Sequence, residues 1–201
     1  MRYLFAFACV AALGSYGCGD SSPSGPSGGS GTLNLRITDS PFSDAKAVLV
    51  TISEVQAHRE DAAWETVPFP DDPATPIVDT ERTCDLKKLQ GPVDFLGGGL
   101  LTAGHYTQIR LVVKKATIYF DVAPPATDPA CTAAAPELTS TNKANVTIPS
   151  GEVKLNRGFD LPADGTTTIT LDFDGDKSIN QTGTGTYMMS PVIAIKSVGQ
   201  Q

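Results

Sequence analysis

The 201-residue chain contains no apolar run of 18 residues, so it offers no helix long enough to cross a bilayer. Charge is sparse: Asp, Glu, Lys and Arg make up 18%, against roughly 25% in an ordinary soluble domain. Basic residues are outnumbered, 15 to 22, for a formal net charge of −7. That balance argues against a nucleic-acid partner, because neutralising phosphates takes clustered Lys and Arg. The chain has two histidines and four cysteines, with no spacing that makes a zinc site. Phosphate-cradling loops, dinucleotide fingerprints and HExxH are absent, and no repeat of fixed period is visible. One Trp and five Tyr leave few platforms for stacking a sugar. What the chain does have is Gly (19), Pro (15), Ser and Thr, a mix that disfavours a helical bundle.

The N-terminus carries an address. Arg2 is a short positive region, Leu4 to Leu13 form an apolar core, and small residues precede Cys18. Residues 1–17 therefore read as a bacterial secretory signal. A cysteine directly after small residues resembles a lipobox, so Cys18 is the expected lipidation site and mature N-terminus. Two features depart from the commonest form, Ser15 where Leu is usual and the bulky Tyr16. The alternatives are plain secretion with Cys18 unmodified, and an uncleaved anchor. Each buried CH₂ adds about 0.8 kcal/mol, and stable anchoring takes two or more chains, which a triacylated cysteine supplies. Gly19 in place of Asp favours the outer membrane by resemblance to enterobacterial sorting rules. Residues 18–31 are nearly all Gly, Ser and Pro and read as a flexible tether reaching roughly 20 Å. The GPSGG stretch at 25–29 matches a nucleophile elbow in letters only, since no strand and helix flank it.

Cysteine bookkeeping follows from that address. Cys9 leaves with the signal and Cys18 is consumed by lipid, which leaves Cys84 and Cys131 in an oxidising compartment. They are expected to form a disulfide, which would stabilise by about 4 kcal/mol in the chain-entropy model.

Residues 32–201 read as one domain of strands. Leu33, Leu35 and Ile37 alternate with polar residues, as do Val48, Val50 and Ile52, and later Ile169, Leu171 and Phe173. Residues 106–122 read as two strands or one bent at Lys114–Lys115. Pro191 suggests an edge or bulge near the end. Residues 84–101 place Leu86, Leu89, Val93 and Leu96 at roughly helical spacing and predict a short helix. Segments 68–76 and 123–137 read as loops, the second pinned by Cys131. About eight strands with one helical crossover predict an all-β, antiparallel β-sandwich.

The blocks TLNLRITDSPFSDAKAVLVTISEVQAH, DLKKLQGPVDFLGGGLLTAGHYTQIRLVV, VTIPSGEVKLNRGFDL, LDFDGDKSI and YMMSPVIAI, in that order, resemble domain-of-unknown-function family 4382. The resemblance covers roughly 32–113 and 145–196. It implies an exported lipoprotein with an immunoglobulin- or transthyretin-like β domain, and no chemistry. Residues 114–144, which carry Cys131, fit least, so the disulfide reads as a feature of this chain.

Candidate chemistry is thin. In a strand, Asp172, Asp174 and Asp176 would share one face, and such a row of like charges asks for a cation or a basic partner. Calcium, with six to eight oxygen ligands, would suit it, although Lys177 and Gly183 exclude an EF-hand loop. The alternative is a solvated face or an Asp-Gly turn neutralised by Lys177 or Arg157. Asp39 and Asp44 flank a Ser-Pro turn and either join that site or cap the turn. His58 and His105 lie in separate segments without a nucleophile motif. Trp64 reads as a half-buried strand residue before a sugar platform. Asn145 and Asn180 match glycosylation acceptors, to little effect in a bacterial lipoprotein. Twenty-two acidic residues cannot exclude glycosidase chemistry, yet none is marked as a pair. The expectation is a non-enzymatic envelope lipoprotein for binding, adhesion or scaffolding. It has no cofactor (calcium apart) and meets the membrane through its lipid. A calcium-dependent or carbohydrate-binding module and a hydrolase are the alternatives.

Overall fold

A computed structural model describes residues 28–40, 44–60, 62–70 and 80–201. The secretory signal, Cys18 and most of the expected tether lie outside the described residues. Strand β1 (Ser30–Ser40) starts two residues before residue 32, where the folded domain was expected to begin. There follow β2 (Ala47–Arg59), β3 (Trp64–Thr66), β4 (Arg82–Asp85), β5 (Asp94–Thr102) and β6 (Gly104–Tyr119). The second half holds β7 (Cys131–Thr132), β8 (Lys143–Thr147), β9 (Glu152–Leu155), β10 (Phe159–Leu161) and β11 (Thr166–Asp174). A one-turn helix α1 (Gly175–Ser178) leads to β12 (Ile179–Gln181), β13 (Tyr187–Met189) and β14 (Ile193–Gln200).

The strands form two sheets packed as a sandwich. The small sheet runs β14-β11-β1-β5; the large one runs β12-β13-β8-β6-β2-β4-β7, with β3 on β2 and with β9 and β10 on β6. Period two makes the core: Leu33, Leu35 and Ile37 of β1 and Ile169, Leu171 and Phe173 of β11 are fully buried. From the large sheet they meet Val48, Val50 and Ile52 of β2 and Ile109, Leu111 and Ile118 of β6 in one cluster.

Two expectations are corrected. The sheets are mixed: β1 pairs with β11 in parallel, as does β8 with β13. The stretch 84–101 is not a helix beyond one 3-10 turn, Leu86–Leu89, capped by Asp85. Gly91 then takes a φ of 96°, and the chain runs extended into β5. Within β5, Gly97 permits a close approach, since a Cβ there would lie 2.7 Å from the Pro68 carbonyl oxygen. The bend expected at Lys114–Lys115 is a register shift within one long strand: Lys115 pairs with Thr51 and Val113 with Ile52. The shift keeps Val113 and Leu111 inward where strict alternation would have turned them out.

The exposed edge at β14 is guarded. Its register passes from Thr170↔Ser197 to Leu171↔Ile195, which bulges Lys196 out of the ladder. Arg157 Nη1 donates to the Ile195 carbonyl at 2.9 Å. A charged bulge and a capped carbonyl both discourage a foreign strand from pairing.

Candidate functional site

The segment between β6 and β8 is rich in Pro and Ala, has no apolar period and crosses the sandwich as an irregular strap. It is pinned at its middle. Cys84 and Cys131 are disulfide-bonded and buried, Asp85 N–H donates to the Ala130 carbonyl, and Cys131 N–H donates to Asp94 Oδ2 at 2.8 Å. Lys88 Nζ holds the Asp128 carbonyl at 3.0 Å. Further along, Leu138 and Val122 pack on Ala47, Leu49 and Tyr119, a small apolar cluster separate from the main core.

Between strap residues 135–138 and the strands lies a partly open cavity of ≈ 290 Å³. Its walls are the face of β2 and β6 that points away from the main core: Leu49, Thr51, Lys115, Thr117 and Tyr119. Glu137 closes it from the strap. Thr51 Oγ1 shares a hydrogen bond of 2.9 Å with Thr83 Oγ1. Among the described residues the Thr117 hydroxyl, the Tyr119 hydroxyl, the Lys115 ammonium and the Glu137 carboxylate have no hydrogen-bond or ion-pair partner. Thr117 is 5% exposed and Tyr119 8%, yet neither hydroxyl is among the buried polar atoms that lack a partner, so what these two residues expose opens onto the cavity.

The aspartates are arranged differently from the expected row. Asp172 and Asp174 do share a face of β11, but the chain turns at Gly175, and Asp176 sits exposed in α1. Asp174 caps that helix: it accepts from Lys177 N and pairs with Lys177 Nζ at 2.6 Å, which holds its carboxyl below the usual range. Asp172 is 4.0 Å from Lys196. Among the described residues no group of three or more His, Cys, Asp or Glu side chains is placed to hold a metal ion. Asp39 does come near the others, because parallel pairing sets it opposite Phe173. It is 5% exposed, and Oδ1 accepts from Gly175 N–H at 3.1 Å. Burial, reinforced by the charges of Asp172, Asp174 and Asp176, pushes its carboxyl up to about 7. Asp44 is exposed before β2 and is not among the charges acting on Asp39.

The histidines belong to separate pairs. His58 Nδ1 meets Thr107 Oγ1 at 3.1 Å, and its ring lies 4.9 Å from Trp64. Arg110 stacks over Trp64 at 4.5 Å, so that indole is half-buried and already engaged. His105 Nδ1 meets Asp160 Oδ1 at 2.7 Å on the surface, which raises the imidazole above its ordinary value.

A family described as Domain of unknown function (DUF4382) matches residues 30–191. The chain belongs to this family. No curated protein and no solved structure matches it. The DUF4382 match opens at Ser30, where β1 opens, and ends just before β14. The strap and its cavity lie inside the matched span. Sequence reading missed that cavity: Thr51, Thr117 and Tyr119 look like ordinary outward positions of strands, and only the path of the pinned strap covers them.

Proposed function

We propose that the protein is an exported envelope lipoprotein whose DUF4382 domain binds a ligand without transforming it. The buried Cys84–Cys131 bond carries this reading, because such bonds persist in oxidising compartments outside the bacterial cytoplasm. The secretory pattern at residues 1–17 and the lipobox-like Cys18 point the same way, with the outer membrane favoured by Gly19. Binding is preferred over catalysis for a specific reason. A carboxyl held near neutrality would suit a general acid or base. Asp39 is that carboxyl, but its Oδ2 is fully covered and no substrate atom can reach it. Polar side chains without a protein partner instead line the open cavity under the strap, Lys115, Thr117 and Tyr119 from β6 and Glu137 from the strap itself.

Metabolic labelling with palmitate followed by membrane fractionation tests the address. Label on the wild type and its loss in Cys18→Ala support the reading. Label retained in Cys18→Ala, or an unlabelled protein recovered from the cytosol, overturns it.

A further inference from the structure

We propose that the cavity under the disulfide strap takes a neutral, hydroxyl-rich ring of monosaccharide size, such as one unit of a glycan. The inference rests on the binding-module reading above and names its ligand class. Size is the first argument. Ligand pockets run from about 300 to 1,000 Å³, and this one, at ≈ 290 Å³, lies just below that range. One ring fits, and the open side leaves room for a chain to continue outward.

Charge is the second. Lys115 and Glu137 place one cation and one anion on the same cavity. An anionic ligand would meet Glu137, a cationic one Lys115, and a phosphate would find a single ammonium where two or more basic groups are wanted. A neutral ligand meets no repulsion. The two ions and the hydroxyls of Thr51, Thr117 and Tyr119 supply donors and acceptors in a mixture that suits hydroxyl groups, each of which both donates and accepts.

The third is the free hydroxyl. The Thr117 hydroxyl has no hydrogen-bond partner among the described residues and opens onto the cavity, so a ligand hydroxyl placed there displaces no protein group. The site is preorganised, since its Thr and Tyr positions stand on the long paired strands β2 and β6 and its roof is tied down by the disulfide.

The test is saturation-transfer NMR on the full-length protein in detergent. The neutral probes are glucose, galactose, N-acetylglucosamine and cellobiose; glucuronate, glucosamine and inorganic phosphate are the charged probes. At least one neutral sugar should give signal and outcompete the charged probes. Thr117→Val keeps the shape, loses the hydroxyl and should weaken that sugar about fivefold, as one lost hydrogen bond implies. Lys115→Met, an exposed position, is the second variant and should weaken it similarly. Binding of charged probes alone, no signal from any neutral sugar, or affinity unchanged in both variants overturns the proposal. These failures leave palmitate labelling at Cys18 intact. Loss of that label overturns the envelope reading and leaves the sugar signal.

Discussion

Cys84 and Cys131 stand directly opposite one another on β4 and β7, with their Cα atoms 4.0 Å apart. The bond therefore joins the edge of the large sheet to a strap that has almost no regular structure of its own. Both cysteines belong to the main core cluster, so removing the bond loosens the strap at its middle and takes two buried side chains out of that cluster.

The double variant Cys84→Ala/Cys131→Ala should lose about 2–5 kcal/mol of unfolding free energy, the usual effect of deleting a native disulfide across a long loop. Chemical denaturation measures it. The same variant should show rapid amide exchange in residues 121–137 and little change in β1 and β11. An unchanged midpoint would mean that the hydrogen bonds of Arg82, Asp85, Lys88 and Asp94 hold the strap without the bond.

Asp39 predicts a pH effect of definite sign. Its carboxyl rises from 3.8 unfolded to about 7 folded, with Asp172, Asp174 and Asp176 facing it and Lys177 engaged by Asp174. The stabilising contribution of the protonated form is complete below pH 3.8 and is lost as pH rises through about 7. Wild-type stability should therefore fall between pH 5 and pH 7 by a few kcal/mol at most, at about 1.4 kcal/mol per unit, and level off above that. Asp39→Asn keeps an acceptor for Gly175 N–H and cannot ionise, so its melting temperature should fall less over that range. Parallel pH curves for the two proteins would refute the assignment.

Gly97 should resist substitution. A methyl there would stand 2.7 Å from the Pro68 carbonyl oxygen, which also accepts from Gly98 N–H at 2.9 Å. Gly97→Ala should cost about 1–3 kcal/mol, the range for overpacking a tight site. Gly183, with open space around it, is the control, and Gly183→Ala should be near neutral.

The guard on β14 predicts self-association when it is removed. Lys196→Ile together with Arg157→Ala strips the charge from the bulge and uncaps the Ile195 carbonyl. Light scattering should then show mass rising with concentration, while the wild type stays constant. Constant mass in the double variant would show that the bulge alone blocks pairing.

Much of this was legible in the chain, for local reasons. Alternation of Leu33, Leu35 and Ile37 or of Ile169, Leu171 and Phe173 depends only on neighbours, and it located the core strands. Lys114–Lys115 broke the alternation and marked the irregularity. Cys84 and Cys131 could be paired by elimination. Other features depended on distant partners. Leu86, Leu89, Val93 and Leu96 have helical spacing, yet the chain turns at Gly91 and Pro92 and runs extended through β5, where Gly97 and Gly99 lie against Pro68. Asp176 was placed on a strand that ends two residues before it, where Gly175 turns the backbone. The parallel neighbour of Leu35 is Ile169, in a segment that period alone does not connect to it. The cavity needed both a pair of strands and a roof from a third region.

Parallel pairing of β1 with β11 also orders events in time. A ribosome releases residues 30–40 long before residues 166–174, so the first strand waits for one of its two lasting neighbours until most of the polypeptide exists. In the interval β5 can already cover one flank of it in an antiparallel ladder, but the other flank stays bare. Closing that gap brings together stretches from opposite ends of the domain, a slow step by its loop entropy. Until then Leu33, Leu35 and Ile37 sit beside an open ladder, where a holdase or another unfolded chain has its opportunity.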